Sequence, residues 1–281
     1  MNIDAHFHVW QIGRGDYGWL TPALAPIYRD VSVEHWWAQA QGLGIARGLL
    51  VQAAPTRAET DFLLQQARQH PERVAGVIGW VDLQSADACE QVGARAREPR
   101  LKGLRPMLQD IVDTRWIAQA HIQPALACMA HADLVFDALI EPRHLSVICE
   151  VAHAHPQLRI VLDHGAKPDM SAQPAALADW RAAMQTLAGL SRPAPIMCKL
   201  SGLWTEAPRG QPCDSVQPWA QALLEIWGPQ RLIWGSDWPV LELAGGYDEW
   251  HRYSRSLCAS LSPNEQDALF GGNAQRMYRL D

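Results

Sequence analysis

The sequence predicts an α/β protein folded as a (β/α)8 TIM barrel, with loop extensions over the carboxyl-terminal face of the strands. Eight short apolar runs recur at fairly even intervals along the 281 residues. Several, such as GLLVQA and VAGVIGWV, are almost continuously apolar, as strands buried on both faces of a parallel sheet are. Helix-forming segments lie between the runs, and parallel strands need such crossovers. We therefore expect residues 1–281 to form a single domain, whether the ring is regular or distorted.

The expected strands follow one another along the whole chain. They cover residues 3–8, 48–53, 74–81, 101–107, 133–139, 158–163, 196–201 and 232–236. Ser32 and Thr56 are suited to cap the helices after the first two strands, and Pro142 to open the helix after the fifth. A doubly wound open sheet is the alternative architecture, but no GxGxxG motif follows an early strand.

Composition and charge argue against several classes of partner. The formal net charge of -6 at pH 7 gives no support for binding to nucleic acid or to an anionic membrane. The chain has neither an 18-residue apolar stretch nor a signal-peptide pattern at its N-terminus. We therefore expect a cytoplasmic protein that acts on a small molecule, and homo-oligomer formation stays open. Six widely spaced cysteines without a CxxC pair are expected to be reduced thiols: Cys89, Cys128, Cys149, Cys198, Cys213 and Cys258.

Polar side chains recur where the expected strands end, which is the catalytic face of such a barrel. His6 and His8 stand two apart in IDAHFHVW, and on a strand they point to the same face. Alone, an HxH pair is more often two half-exposed histidines near a terminus. The other strand ends carry Gln52, Asp82, Arg105, Asp137, Asp163, His164, Lys199, Ser201, Ser236 and Asp237.

A second HxH pair lies in a different context. His153 and His155 close an expected helix just before the sixth strand begins. That position is on the amino-terminal face of the barrel, where polar residues serve stability. We therefore interpret this pair as structural.

Together, these motifs resemble the amidohydrolase superfamily, whose signature is HxH on strand one, a histidine ending strand six and an aspartate ending strand eight. The stretches IDAHFHVW, DYGWL, VIGWVDL, KGLR, VLDHGAKP, KLSGLWTEA, RLIWGSDWP and GGNAQRMY are similar to its lactonase branch. That branch contains sugar-acid lactonases and 2-pyrone-4,6-dicarboxylate lactonase. KLSGLWTEA and the tryptophan-rich mouth look more like sugar-acid lactonases such as L-fucono-lactonase.

The resemblance implies hydrolysis of an aldono- or aldarolactone to the open hydroxy acid, a reaction of carbohydrate catabolism. Asp237 is the candidate general base, and His6, His8 and His164 are candidates to stabilise the oxyanion. Lys199 is expected to form a salt bridge inside the barrel rather than to protonate the leaving alkoxide.

Arg105 could bind a carbonyl or carboxylate through its planar fork, or form an ion pair with Asp137 or Asp82 in the barrel wall. Tryptophans near the mouth could flank a sugar ring, or they could pack a lid. The candidate substrate contacts are Arg105, Gln52, Trp10, Trp19, Trp204, Trp238, Tyr17 and Glu206.

The chain departs from the two-metal members of the superfamily. Those members use a carboxylated lysine at the end of strand four and a histidine on strand five. Here Lys102 begins the fourth strand and Arg105 ends it, and the fifth strand carries Asp137. One Zn²⁺ or other divalent ion could still be held by His6, His8 and Asp237, with or without His164. The resemblance favours chemistry without an obligatory ion, because some lactonases of this branch need none.

Three other functions remain open. A pyrone dicarboxylate would call for extra arginines at the mouth, where the sequence offers only Arg105, Arg14 and Arg209. A metal-dependent decarboxylase of the superfamily would need the missing strand-five histidine. A barrel that binds a sugar acid without turnover would not need to retain Asp237. The identity and ring size of the lactone do not follow from the sequence.

Overall fold

The fold is a nearly closed ring of eight parallel strands, as the sequence predicts. The computed structural model describes residues 1–171 and 175–281. Neighbouring strands in the ring are also neighbours along the chain. The strands are β1 (Asn2–Phe7), β2 (Ile45–Val51), β3 (Val74–Gly79), β4 (Leu101–Leu104), β5 (Val135–Ala138), β6 (Ile160–Leu162), β7 (Ile196–Leu200) and β8 (Leu232–Trp234).

Helices occupy the connections between the strands. They are α1 (Val33–Ala40), α2 (Arg57–Gln69), α3 (Ala88–Arg95), α4 (Gln123–His131), α5 (Leu145–Ala154), α6 (Ala175–Ala188), α7 (Leu203–Glu206), α8 (Gln217–Trp227), α9 (Tyr247–Leu257), α10 (Pro263–Asp267) and α11 (Asn273–Tyr278). Ser32 caps α1 and Thr56 caps α2, as predicted, because each side chain accepts a backbone N–H of the first turn. Pro142 opens the 3-10 turn that leads into α5. Among the described residues, no helix is both long and apolar enough to cross a membrane.

The ring closes between the carboxyl ends of β1 and β8. The His8 backbone N–H donates to the Trp238 carbonyl at 2.8 Å, and the Asp237 N–H donates to the His6 carbonyl at 2.8 Å. The same hydrogen bonds that close the barrel therefore hold the two segments with the candidate catalytic residues side by side.

A shift in the pairing of β1 with β2 between Asp4 and Phe7 changes which side chains face the interior. Ile3 and Ala5 belong to the apolar cluster inside the barrel, whereas Phe7 stacks outside it on Trp36 at 4.0 Å. Strict alternation would put Asp4 and His6 on one face. The irregularity turns His6 inward and leaves Asp4 between β1 and the helices.

The cysteine prediction is wrong for one pair. Cys89 on α3 and Cys128 on α4 form a disulfide, while Cys149, Cys198, Cys213 and Cys258 are free thiols. The two bonded residues are 39 positions apart in the sequence. Their proximity arises from the packing of α3 on α4, which spacing alone does not reveal.

Candidate active site

A cavity of about 300 Å³ opens at the carboxyl ends of the strands. Its walls come from loops that follow several different strands, as expected for a barrel enzyme. Six of the predicted site residues line it: His8, Trp19, Arg105, His164, Glu206 and Asp237.

Three imidazoles surround one carboxylate oxygen at the floor of this cavity. The Nε2 atoms of His8, His6 and His164 lie 3.3, 3.6 and 3.7 Å from Asp237 Oδ1. All four residues are buried. His6 lies deepest and is fully covered by its neighbours. The structure therefore brings together the four residues that the sequence predicts to converge.

Unusual backbone conformations position two of these side chains. His164 has φ 52° and Asp237 has φ 60°, both in the left-handed region that side chains rarely adopt. Gly202 lies against the His164 ring, and a Cβ at this glycine would stand 2.3 Å from His164 Nδ1. The His164 Nδ1 atom also lies 3.0 Å from Ser201 Oγ. These contacts hold the imidazole with Nε2 towards Asp237.

The hydrogen bond of His8 fixes its tautomer. His8 Nδ1 lies 2.8 Å from the Val51 carbonyl, which can only accept, so Nδ1 carries a proton. His8 Nε2 then faces the Asp237 carboxylate at 3.3 Å. A lone pair at Nε2 would repel the carboxylate oxygen. The two atoms are therefore suited to hold a cation between them.

The Lys199 side chain contacts His6 at its Nδ1 atom. Its ammonium lies 2.5 Å from Asp137 Oδ2, 2.9 Å from Asp163 Oδ1 and 3.3 Å from His6 Nδ1. Burial opposes the charge, but Asp137 and Asp163 outweigh it and raise the pKa of Lys199. The salt bridge expected for Lys199 is therefore present. An ammonium donates hydrogen bonds and accepts none, which favours a lone pair on His6 Nδ1 and a proton on Nε2.

Burial and neighbouring charges set the protonation states of the other groups. Burial, reinforced by the Lys199 charge, lowers the pKa of His6 well below its ordinary value. Burial lowers the pKa of His164 to about 4 against the opposing charges of Asp237 and Asp163. Burial would raise the pKa of Asp237, but the imidazoles around it lower that pKa on balance. At neutral pH, Asp237 is thus a carboxylate beside two neutral imidazoles.

Arg105 pairs with a different carboxylate from those expected. Its guanidinium lies 3.3 Å from Asp163 Oδ2, whereas Asp137 is held by Lys199 and by the Tyr278 hydroxyl at 2.8 Å. Arg105 also donates to the Gln52 carbonyl. The ion pair fixes one edge of the guanidinium, and Arg105 still lines the cavity.

The donor set fits one divalent ion. Ligand atoms of His6, His8 and Asp237 all lie within 4.8 Å of one another. Tetrahedral ligands at 2.0–2.1 Å from zinc stand about 3.3–3.4 Å apart, close to the spacing of these Nε2 atoms from Asp237 Oδ1. His6 Nε2 is buried and has no hydrogen-bond partner among the described residues. Binding through that atom requires the His6 proton on Nδ1, where Asp163 Oδ1 at 3.5 Å could accept it.

Three of the predicted tryptophan contacts do not line the cavity. Each is buried, and its indole N–H is used within the protein. Trp10 donates to the Arg29 carbonyl at 2.8 Å, Trp204 to the Gln211 carbonyl at 3.0 Å and Trp238 to Glu242 at 2.8 Å. These side chains pack the loops around the mouth.

Tyr17 and Gln52 also lie outside the cavity lining. The Tyr17 hydroxyl donates to Glu59 Oε2 at 2.6 Å, and the Gln52 amide donates to the Arg105 carbonyl at 2.7 Å. Gln52 therefore supports the segment that carries Arg105. Trp19, which does line the cavity, donates to the Ala53 carbonyl at 2.7 Å and leaves part of its ring exposed.

Lys167 and Asp4 are among the residues near the site that the sequence did not predict. Lys167 lines the cavity and pairs with Glu206 at 2.9 Å. Asp4 accepts from the Ser236 N–H and hydroxyl, at 2.8 and 2.7 Å, and from the Trp36 indole at 2.9 Å. Asp4 thus anchors the loop that presents Asp237. The only sequence signals were the lysine in VLDHGAKP and the carboxylate in a strand, and neither specifies a partner.

Three comparisons with known proteins agree with this geometry. The family model described as "Amidohydrolase" matches residues 3–280. L-fucono-1,5-lactonase of Burkholderia ambifaria is 41% identical, over 99% of this chain and 96% of its own. L-fucono-1,5-lactonase of Burkholderia multivorans is 37% identical, over 100% and 96%. A crystal structure of a Burkholderia multivorans amidohydrolase with bound zinc matches all of both chains, at 36% identity and a TM-score of 0.92.

Proposed function

Since this chain belongs to the amidohydrolase family, we propose that it is a lactonase that hydrolyses a sugar-acid lactone to the open hydroxy acid. The observation that carries the proposal is the cluster of three imidazoles around the ionised Asp237 at the floor of a cavity. The two L-fucono-1,5-lactonases support an aldonolactone as the substrate.

In the proposed reaction, Asp237 binds a water molecule and accepts its proton as the water oxygen attacks the lactone carbonyl. The His6 Nε2–H and His164 stabilise the oxyanion that forms on the carbonyl oxygen. When the ring C–O bond breaks, the proton held by Asp237 becomes available to the leaving alkoxide. Arg105 would orient the carbonyl or the new carboxylate through its guanidinium.

A divalent ion, when bound by His6, His8 and Asp237, would supply Lewis-acid polarisation of the carbonyl. We propose that turnover does not require it. The charged Lys199 beside His6 Nδ1 favours the tautomer with a proton on Nε2, which gives the site a hydrogen-bond donor where an ion would need a lone pair. The similar Burkholderia multivorans amidohydrolase has bound zinc in its crystal structure, and the screen therefore includes samples with and without metal.

The charges of the cavity wall favour a neutral, hydroxylated substrate over a dicarboxylate. Lys167 is neutralised by Glu206, and Arg105 is already paired with Asp163. Asp110 and Asp237 add further carboxylates to the lining. A doubly charged pyrone would meet these carboxylates without an unpaired cation to balance it among the described lining residues.

One screen tests both the reaction and the role of the ion. The purified protein is assayed with a panel of aldonolactones by a pH indicator, with the spontaneous rate subtracted. Each assay is repeated after treatment with a strong chelator, and metal per chain is quantified. We expect acid release from at least one aldonolactone that survives metal depletion. Loss of activity on chelation, restored by Zn²⁺, would overturn the metal-free proposal but keep the lactonase. No hydrolysis of any lactone, with or without Zn²⁺, would overturn the lactonase.

A further inference from the structure

A second cavity of about 400 Å³ lies on the same face of the barrel, beside the catalytic one. Loops after β2, β3 and β4 form it. Its walls are mostly apolar, with two half-buried tryptophans, Trp80 and Trp116, and the carboxylates of Asp82 and Asp110. None of these side chains takes part in the proposed hydrolysis.

The two cavities are adjacent. Met107 and Asp110 line both of them. Met107 is half-buried and Asp110 is exposed, so the border between the cavities reaches the surface. Methionine is also the most adaptable apolar side chain, since three rotatable bonds let it move aside. A ligand bound at Asp237 could therefore extend across this border.

The backbones of the two tryptophans of the second cavity are held by hydrogen bonds. The Trp80 N–H donates to Thr60 Oγ1 at 2.8 Å, and the Thr60 hydroxyl is 3.0 Å from the Trp80 carbonyl. The Trp116 N–H donates to the Asp113 carbonyl at 3.0 Å, at the start of a 3-10 turn. Tryptophan offers a large, rigid contact area at a low conformational-entropy cost, which suits a ligand with flat apolar faces.

The polar groups of this cavity indicate which kind of ligand ring it would bind. Among the described residues that line it, the charged side chains are Asp82 and Asp110, and no Lys, Arg or His is present. Carboxylates accept hydrogen bonds from hydroxyl groups and repel anions. Indole faces pack against the C–H faces of a sugar. This chemistry fits a neutral hydroxylated ring.

We propose that the second cavity is a subsite for a glycosyl substituent, so that the substrate class includes lactones of aldobionic acids, in which a sugar ring is attached to the aldonolactone. The inference rests on the proposed lactonase function and extends it. The bond cleaved is still the ring ester, and the glycosidic bond stays intact. The attached sugar would lie between Trp80 and Trp116, while the lactone carbonyl faces Asp237.

The test compares paired substrates that differ only in the extra ring. D-glucono-1,5-lactone and cellobiono-1,5-lactone are assayed with the wild type and with Trp80→Ala and Trp116→Ala. We expect each substitution to lower the ratio of kcat/KM for the disaccharide lactone to that for the monosaccharide lactone by about fivefold to tenfold. Trp116→Phe should retain most of the ratio. Trp37→Ala, a half-buried tryptophan on α1 outside both cavities, is the matched control and should not change it.

A second readout does not depend on turnover. Calorimetry compares binding of cellobionate and gluconate, the stable open acids, to the same proteins. Weaker cellobionate binding in Trp80→Ala and Trp116→Ala, with gluconate unchanged, supports the subsite even if no lactone is hydrolysed. Equal losses for both ligands, or no loss for either, would overturn the subsite. Hydrolysis of monosaccharide lactones without discrimination by these variants would leave the lactonase intact and reject only the subsite.

Discussion

His6 and His8 end a strand, whereas His153 and His155 close a helix, and the two HxH pairs have different surroundings. The first pair is buried, with both Nε2 atoms within 3.6 Å of Asp237 Oδ1. In the second pair, His153 donates to the Cys149 carbonyl at 2.8 Å and His155 to Gln123 at 2.8 Å. The same three-residue pattern thus builds a reactive cluster at one end of the barrel and ordinary helix-end contacts at the other.

The difference shows that the chemistry comes from what the fold places opposite each imidazole. On β1, closure of the barrel aligns the histidines with Asp237. On α5, the available partners are a backbone carbonyl and an amide oxygen, which satisfy a ring N–H without activating it. The predictions below break or sharpen this contrast, from the largest expected effect to the smallest.

The largest effect should come from removing the negative charge of Asp237, which both imidazoles of the first pair face. Asp237→Asn keeps the size of the side chain but cannot accept a proton from water. We expect kcat/KM to fall by about 10³-fold, within the range of general-base contributions. The measurement is lactone hydrolysis by pH indicator, with circular dichroism to confirm the fold. A residual rate above a tenth of the wild type would contradict the role of Asp237.

A substitution of Lys199 tests whether its contact with His6 Nδ1 maintains the first pair. Lys199→Gln removes the ammonium beside His6 Nδ1 and leaves Asp137 and Asp163 without their shared cation. We expect kcat to fall about 10–100-fold, as for other groups that orient an active-site imidazole. Stability should fall by about 3–5 kcal/mol, because one partner of a buried ion pair is lost.

The control for Lys199 is Lys102→Gln, at the opposite end of the barrel, where Lys102 lies 3.3 Å from the Arg279 carbonyl. A structural role alone would not change the tautomer of His6. The ¹⁵N shifts of His6 should therefore show the proton on Nε2 in the wild type and a mixture of tautomers in Lys199→Gln. Identical shifts in both proteins would contradict the assignment.

The different positions of the two pairs could be predicted from the sequence, because each strand and each helix has its own local sequence signal. Eight apolar runs separated by helix signals predict parallel strands in chain order, and that order puts His6, His8, His164 and Asp237 at one end. Strand ends were predicted less well: β4 ends at Leu104 rather than at position 107. Pro106 and Met107 are apolar although they follow the last paired residue, so hydrophobicity does not mark where the strand ends.

Side-chain partners were not foreseeable in the same way. Trp10, Trp204 and Trp238 follow strand ends, but whether an indole lines a cavity depends on which loop carbonyl or carboxylate is near its N–H. Asp4 likewise has the sequence parity of His6, yet the irregularity of β1 turns it to the other side. Sequence spacing gives the face of a regular element, and it fails where register shifts or long loops intervene.

Glu59 gives the folded protein a pH dependence that is separate from both histidine pairs. Burial raises its pKa to about 7, although the Tyr17 hydroxyl and the Ala53 N–H favour the carboxylate. A raised folded pKa means that stability is full below about pH 4.5 and is lost as pH rises through 7. The shift corresponds to about 3 kcal/mol.

Glu59→Gln should remove this dependence, because an amide does not ionise. The free energy of unfolding is measured by denaturant titration between pH 4.5 and 8, with the surface variant Glu72→Gln as control. We expect the variant to gain stability relative to the wild type as pH rises. Parallel pH curves for wild type and Glu59→Gln would reject the assignment.

The smallest effect should come from the second pair. The double variant His153→Ala and His155→Ala removes two side-chain hydrogen bonds at the end of α5, each with a net value of about 0.5–1.5 kcal/mol. No cavity residue is touched, so kcat/KM should stay within twofold of the wild type, while unfolding by denaturant shifts modestly. The matched variant His6→Ala and His8→Ala should lose nearly all activity. A tenfold loss of kcat/KM in the α5 variant would mean that the amino-terminal end of the barrel is coupled to the cavity, and that position alone does not separate the two pairs.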